Sequence, residues 1–165
     1  MTLTSNFRNA FYAGLLLSVI AGIYLLRLWQ PERQVELHSI HLLDAIGERD
    51  WSRVREFIDA EYHDHWQHDR ELLLARIRLV GGHTRDLRLE PHQPLVIETD
   101  DGPGWRARIT ARGEQGEMIA LIKQHLNSID EPFRLEWRQR SRKPWDWKLV
   151  HASNEALVLP KGSGF

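Results

Sequence analysis

The chain of 165 residues contains no cysteine and almost no net charge, and both absences restrict its function. Without cysteine it forms no disulfide, thiolate metal site, thiol nucleophile or lipidated cysteine anchor. The formal net charge is −1, with 22 Lys and Arg against 23 Asp and Glu. This balance argues against a dedicated nucleic-acid-binding protein. We therefore expect no nucleic-acid partner, and no motif implies a cofactor.

The chain does contain one long hydrophobic run near its start. Residues 10–26 read AFYAGLLLSVIAGIYLL and carry no charge. If Arg27 reaches toward the interface, the run extends to Trp29 and satisfies the ~20 residues that a bilayer span needs. One alternative is a cleaved signal peptide, but no small-x-small cleavage site follows the run. The other is a buried core helix, but such a helix is rarely apolar all round at this length. We predict a tail and single transmembrane helix over 1–30, with the span at about 10–29.

Flanking charge says little about the orientation of this span. Arg8 precedes it, whereas Arg27 and Arg33 follow it, so the positive-inside rule is nearly balanced. A short amino-terminal tail, one span and a folded domain are typical of a bacterial signal anchor. We expect a single-pass membrane protein whose soluble domain is extracytoplasmic, on the periplasmic side.

The soluble part begins with three helical patterns. Apolar residues recur every three to four positions in QVELHSIHLLDAIGERD, which predicts a helix. Asp50 is a suitable N-cap for a second helix, WSRVREFIDAEY. Asp69 is placed to cap a third, RELLLARIRLV, which ends at Gly81 and Gly82.

The hydrophobic period then changes to two, as in strands. LRLEPHQPLVIETDD reads as a strand broken by two prolines, and GWRARITARG, FRLEWRQRS and WDWKLVHAS alternate between apolar and polar residues. EMIALIKQHLNSI, between them, reads as a short helix or a long loop. The bulky residues expected to point inward are Trp105, Trp137, Trp145, Trp147, Leu135 and Leu149.

These patterns predict an α+β fold after the transmembrane helix. Three helices pack on a curved antiparallel sheet of about four strands, within a domain that covers residues 31–158. The remaining residues, 159–165, read as a flexible tail.

The order of elements resembles a known superfamily. The helical pair LLDAIGERDWSRVREFI, the segment EYHDHW, a third helix and the hairpin FRLEWRQRSRKPWDWKLVHAS are similar to nuclear transport factor 2-like domains, over about residues 34–155. The resemblance implies a cone in which a sheet wraps long helices. It also implies two classes of function, since the superfamily holds ketosteroid-isomerase-like and polyketide-cyclase-like enzymes as well as non-catalytic binding domains. Pairing of two copies through the sheet, or an envelope protein partner, is a further implication.

The segment EYHDHWQHD, residues 61–69, concentrates histidines and acids. In a helix Asp64 and His68 share a face, and so do His65 and Asp69. In an extended chain His63 and His65 share a face instead. Zinc usually takes three or four ligands, so Asp64 and His68 alone are insufficient and we predict no metal. The simpler interpretation is a helix-to-helix connection in which Tyr62 and Trp66 pack and the histidines are solvated.

A second histidine series lies on the first soluble helix. His38, His41 and Asp44 follow one another every three residues, which spreads them over a third of the helix circumference. A 2-His-1-carboxylate metal site is conceivable from the residue types, but that spread favours surface positions.

Two hypotheses of function remain. The leading one is a non-enzymatic, membrane-anchored interaction domain whose outward strand arginines bind an acidic partner or anionic lipid; these arginines are Arg106, Arg108, Arg134, Arg138 and Arg140. Acidic residues lie among them, so the alternative for this surface is a solvated sheet face with cross-strand ion pairs; these acids are Glu90, Glu98, Glu136 and Asp146. The alternative is a small-molecule enzyme that uses an acid–base pair in the cone. The ionisable residues considered for that pair are Tyr62, Asp64, His65, His125 and His151. The bulky inward side chains favour a filled core over a substrate cavity.

Overall fold

A computed structural model describes residues 3–82, 84, 86–99, 102–113 and 116–157, with only the backbone for residues 3–8 and Met118. Within them the elements run α1 (Leu3–Leu28), α2 (Pro31–Glu48), α3 (Trp51–Phe57), α4 (Arg70–Gly82), β1 (Arg88–Thr99), β2 (Gly102–Arg112), α5 (Glu117–Asn127), β3 (Phe133–Gln139) and β4 (Trp147–Ser153). The predicted domain end at 158 and the tail 159–165 lie outside the described residues.

Helix α1 is apolar, and the rest of the molecule leaves it uncovered except at its last residue, Leu28. Its stretch Asn9–Leu28 is 20 residues long with a mean hydropathy of 1.9, and none of it is buried. A core helix of a soluble domain would be largely covered. This helix therefore has the length and composition of a membrane anchor or a signal sequence.

The junction between α1 and α2 is short and hydrogen-bonded. Only Trp29 and Gln30 separate the two helices, and Pro31 occupies the first turn of α2, where its missing N–H costs nothing. The buried Gln34 donates from Nε2 to the carbonyl oxygen of Leu28 at 2.7 Å. A side chain of the globular part thus supplies a hydrogen-bond donor to a free backbone carbonyl at the carboxyl end of α1.

Two aspartates begin helices where the sequence predicts them. Asp50 accepts a hydrogen bond from the amide of Arg53 at 3.1 Å, and Asp69 accepts one from Leu72 at 2.8 Å. Helix α4 ends at Gly82, as predicted. The prediction that α3 continues to Tyr62 was wrong. The chain turns extended at Ile58, and the Asp59 amide donates to the β4 carbonyl of Leu149 at 3.0 Å instead of continuing the helix.

The four strands form one antiparallel sheet in the order β1-β2-β3-β4. Trp105 pairs with Leu135, and Trp137 pairs with Leu149. One irregularity lies between His92 and Leu95, at Pro94, and another follows Glu136. The predicted α+β class and four-stranded antiparallel sheet are confirmed, with α5 as an additional helix between β2 and β3.

The core lies between the helices and one sheet face. Trp105, Trp137 and Trp147 are buried there. The other core side chains include Val35, Leu42, Val54, Ile58, Leu74, Leu135 and Leu149. The expectation that Trp145 points inward was wrong, since it is 56% exposed. Strand β4 begins only at Trp147, so the alternation does not extend back into the turn that holds Trp145.

Candidate functional site

The connection between α3 and α4, residues 58–69, runs along the edge of β4 and holds two buried carboxylates. We call it the connecting segment. The amides of His63 and His65 donate to the carbonyl oxygens of Val150 at 3.2 Å and Ala152 at 3.0 Å. Asp59 and Asp64 are each 5% exposed. Because a buried carboxylate is costly without partners, each must be compensated locally.

Asp64 is the hydrogen-bond centre of the turn that closes this segment. Its Oδ1 accepts from the amides of Trp66 at 2.9 Å and His68 at 2.8 Å. Its Oδ2 lies 2.9 Å from Nδ1 of His68 and 3.5 Å from the hydroxyl of Tyr62. An aspartate that accepts from the following amides is a common turn-forming arrangement. Asp64 and His68 therefore meet within a turn, whereas the sequence brought them together only on the condition of a helix, which this segment does not form.

The neighbours of Asp64 are packed around it. Burial raises the pKa of Tyr62 strongly, and the charge and hydrogen bond of Asp64 raise it further. The Tyr62 phenol therefore stays protonated and donates to the carboxylate. The Trp66 ring stacks on His68, with centroids 6.5 Å apart, and its Nε1 donates to the carbonyl oxygen of Leu157 at 2.7 Å. His68 is only 5% exposed, so the expectation that all these histidines are solvated was wrong for His68.

The remaining acid–base candidates lie apart from this buried cluster. His63 and His65 are exposed. His151 is half-buried on β4; its Nδ1 donates to the carbonyl oxygen of His63 at 2.8 Å, and the two rings are 5.2 Å apart. His125 is exposed on α5. The structure thus joins Tyr62, Asp64 and His68, and leaves His65, His125 and His151 outside their hydrogen bonds.

Metal ligands do not converge in the described part of the chain. No group of three or more His, Cys, Asp or Glu side chains there is arranged to hold an ion. His38 is half-buried, with its ring 5.7 Å from both Phe57 and Trp137, whereas His41 and Asp44 are exposed. Burial lowers the pKa of His38 more than its backbone hydrogen bonds raise it. His38 is therefore placed as a packing residue of α2.

Asp59, the other buried carboxylate, pairs with Arg140. Two guanidinium nitrogens of Arg140 donate to its two oxygens, and one also reaches Glu61 at 2.8 Å. Burial alone would raise the pKa of Asp59, but the hydrogen bonds from Arg140 and the Glu61 amide, with nearby arginine charge, bring it below its ordinary value. Arg140 follows the end of β3. Arg140 is therefore bound to Asp59 and is not one of the arginines on the outward faces of the strands.

A polar groove of about 500 Å3 opens beside this pair. Its charged lining residues are Glu56, Asp59, Glu61, Arg70, Arg140 and Lys148. Lys148 donates to the carbonyl oxygen of Glu56 at 2.6 Å, and Arg70 donates to that of Arg55 at 2.7 Å. Each cation of the groove thus already has an acceptor. The arrangement is suited to holding the connecting segment against β4.

The outward sheet face contains the other predicted arginines. Arg106 and Arg134 stand directly opposite each other on β2 and β3. Arg138 is opposite Lys148 in the next pair of strands. Arg108 is compensated by Asp130 at 3.1 Å. Like charges directly opposite across strands are unfavourable unless an anion lies between them, so the position between Arg106 and Arg134 is chemically suited to an acidic group.

Comparison with known proteins identifies the fold but not a family. No family model matches the chain, and no curated protein does. Among solved structures, an NTF2-like protein of unknown function from Pseudomonas putida is similar, with a TM-score of 0.53 and 13% identity over 73% of this chain and 82% of that one. Aln2 from a Streptomyces species has a TM-score of 0.52 and 16% identity over 74% of this chain and 87% of that one.

A third similar structure is much longer than this chain. Bd1075 from Bdellovibrio bacteriovorus has a TM-score of 0.51 and 9% identity; the match covers 68% of this chain and 36% of that one. At these identities the likeness concerns the fold alone. The globular part has an NTF2-like α+β fold, and its function must be argued from its own residues.

Proposed function

We propose that this protein is a single-pass membrane-anchored, non-enzymatic interaction domain whose globular part is extracytoplasmic. The observation that carries the proposal is α1, where every side chain from Asn9 to Arg27 is exposed. Each Å2 of apolar surface left in water costs about 25 cal/mol. A bilayer removes that cost for a helix of this length.

The packing of the globular part supports a non-enzymatic role. Trp105, Trp137 and Trp147 occupy the space between sheet and helices with Leu135 and Leu149. The buried carboxylates each have a structural partner within the connecting segment or beside it. Their arrangement is explained by the stability of the fold, without a substrate.

The arginine face supports an acidic envelope protein as the partner. A contact between two copies through this face would bring the same surface together on both sides, as in any two-fold interface. The opposed Arg106 and Arg134 would then face the same pair in the second copy. An acidic surface avoids this repulsion and supplies the missing counter-charge.

The anchor is tested by fractionation of membranes from cells that produce the full chain. We expect it to resist alkaline carbonate extraction. Replacing Leu16 and Ile20 by Arg should release it, because each buried charge costs about 3 kcal/mol in a span; the control, with Leu16→Ile and Ile20→Leu, should remain bound. A reporter fused after Phe165 should be active only outside the cytoplasm. Extraction of the unaltered chain would refute the anchor, and a cytoplasmic reporter signal would refute the orientation.

The partner is tested with a photocrosslinking amino acid at Ser153, which pairs with Arg134 on the outward face. We expect a discrete adduct heavier than the chain and different in mass from two copies. The adduct should be lost in R106E/R134E, and it should be absent when the crosslinker is at the exposed Gln124 on α5. An adduct at the mass of two chains would instead identify a homodimer.

A second candidate function is proton transfer on a small molecule, and the Asp64–His68 pair favours it. A carboxylate that holds Nδ1 leaves Nε2 of His68 available for proton exchange. The discriminating measurement is a screen of isomerase and cyclase substrates with the full chain, H68Q and H65Q. Turnover lost in H68Q and kept in H65Q would establish this function; equal, background rates in all three would exclude it for those substrates.

A further inference from the structure

We propose that the turn between β3 and β4 forms a second contact with the membrane, by binding anionic phospholipid headgroups next to α1. This inference rests on the proposed anchoring of α1. The contact consists of residues 141–145, Ser-Arg-Lys-Pro-Trp, which we call the basic turn. Its partner is the surface of the bilayer that α1 spans.

The fold places the basic turn close to the membrane end of the globular part. Nε2 of His38 lies 3.1 Å from the carbonyl oxygen of Trp145. His38 is two helical turns into α2, roughly 10 Å from Pro31 at 1.5 Å per residue. Pro31 in turn follows the end of α1 after two residues, Trp29 and Gln30. The basic turn is therefore tethered within a short distance of the point where the chain leaves the bilayer.

The side chains of the basic turn have the chemistry of a membrane interface. Trp145 is 56% exposed. Arg142 and Lys143 are exposed, and neither forms an ion pair with another residue of the described ranges. Tryptophan concentrates at the level of lipid headgroups, and each Lys or Arg near an anionic surface is attracted to it.

The turn is held in place before any lipid binds. The carbonyl oxygen of Lys143 accepts from Nε2 of Gln139 at 2.9 Å and from the amide of Asp146 at 3.1 Å. The indole Nε1 of Trp147 donates to the carbonyl oxygen of Pro144 at 2.8 Å. A preorganised surface loses little conformational entropy on binding. Arg140, at its base, is already paired with Asp59 and leaves the contact to Arg142 and Lys143.

A second attachment has a consequence for the arginine face. A domain held only by α1 is attached to the membrane at one point, whereas one held also by the basic turn is attached at two, which fixes its orientation. The sheet would then present Arg106 and Arg134 in one direction relative to the membrane. An acidic partner in the same membrane would then meet the arginine face already in the orientation that binding requires.

The proposal is tested with the full chain in lipid nanodiscs, with and without phosphatidylglycerol in phosphatidylcholine. Since the chain has no cysteine, S141C gives one fluorescent label on the turn. Lipids with a nitroxide on the headgroup quench any label that reaches them. The matched label is D86C, because Asp86 is exposed and lines a groove with Gly47 at the other end of α2.

We expect the label at 141, and not the label at 86, to be quenched when phosphatidylglycerol is present, and added salt to reduce the quenching. Substituting R142Q and K143Q together should lower the ratio of docked to undocked forms about twenty-fivefold, since each basic residue contributes about a fivefold preference for an anionic surface. Equal quenching at both sites, equal quenching without phosphatidylglycerol, or no effect of the double substitution would overturn the proposal. A chain that does not enter the discs would overturn the anchoring itself.

Discussion

At the scale of residues, two buried aspartates show different ways of stabilising negative charge in the same twelve-residue connection. Asp64 is satisfied by amides and side chains of its own turn, all within four positions in sequence. Asp59 depends on Arg140, which is 81 positions away. Loss of the first should loosen the turn, and loss of the second should release the segment from the β3–β4 hairpin.

We predict that D64A lowers the free energy of unfolding by about 3 kcal/mol, because four hydrogen-bond donors lose their buried acceptor. Urea unfolding in detergent micelles, followed by tryptophan fluorescence, measures this change. The matched variant H65A, at an exposed histidine, should change the free energy by less than about 0.5 kcal/mol. Equal effects of the two variants would contradict the role given to Asp64.

For Asp59 we predict a pH-dependent contribution to stability. Its pKa is lower in the folded state than its ordinary value, so the folded state binds fewer protons. The stabilisation is complete above the ordinary carboxyl pKa near 4 and is lost as the pH falls through the folded value.

The variant D59N should therefore be less stable than the wild type by about 2 kcal/mol near pH 6. This difference should shrink as the pH is lowered below about 4, and unfolding curves over that range measure it. The control E61Q alters an exposed partner of Arg140 and should show a smaller difference. A deficit of D59N that did not change with pH would contradict the ionic account.

At the scale of elements, a glycine sets the distance between α2 and β1. A Cβ on Gly47 would lie 2.8 Å from the carbonyl oxygen of Leu87, which is a backbone atom. At Gly82, the last residue of α4, a Cβ would meet nothing within 4 Å. Gly47 and Gly82 therefore form a matched pair of helical glycines, of which only Gly47 has a backbone atom close to the position of an added Cβ.

We predict that G47A destabilises the protein by about 1–2 kcal/mol, although alanine favours helices, because α2 and β1 must separate. The variant G82A should be neutral or slightly stabilising. Thermal unfolding of both variants by circular dichroism measures the difference. A G47A variant more stable than the wild type would show that α2 and β1 can move apart without loss of stability.

The tryptophans give a second comparison of elements, since Trp137 lies within β3 and Trp145 in the following turn. We predict that W137A costs about 4 kcal/mol through lost burial and the cavity that remains. The variant W145A should cost less than about 1 kcal/mol, because that ring is mostly exposed. Equal losses in urea unfolding would mean that Trp145 belongs to the core.

Local pattern was sufficient for most elements and insufficient for the contacts between them. The period of apolar residues identified the helices and strands, and Asp50 and Asp69 identified two helix starts. The end of α3 at Phe57 was missed because Leu149 of β4, ninety residues after Asp59, accepts the hydrogen bond of the Asp59 amide. The Asp59–Arg140 pair was missed for the same reason. In contrast, the Asp64–His68 pair was within reach of the sequence, since its members are four positions apart.

At the scale of the whole molecule, an exposed apolar helix is joined to an NTF2-like domain through a two-residue junction. The chain is nearly neutral overall, but its charge is unevenly placed, with arginines on the outward sheet face and two cations on the basic turn. The proposed anchoring holds both surfaces near the bilayer. It therefore underlies the proposals of an acidic partner and of lipid contact.

Retention of α1 as a membrane anchor is tested by the intact mass of the membrane-bound protein. Protein that resists carbonate extraction should be solubilised in detergent and weighed by mass spectrometry. The account predicts a mass close to 19.4 kDa, with α1 present. Soluble protein, lighter by the residues of α1, would show instead that this helix is a signal sequence removed after export.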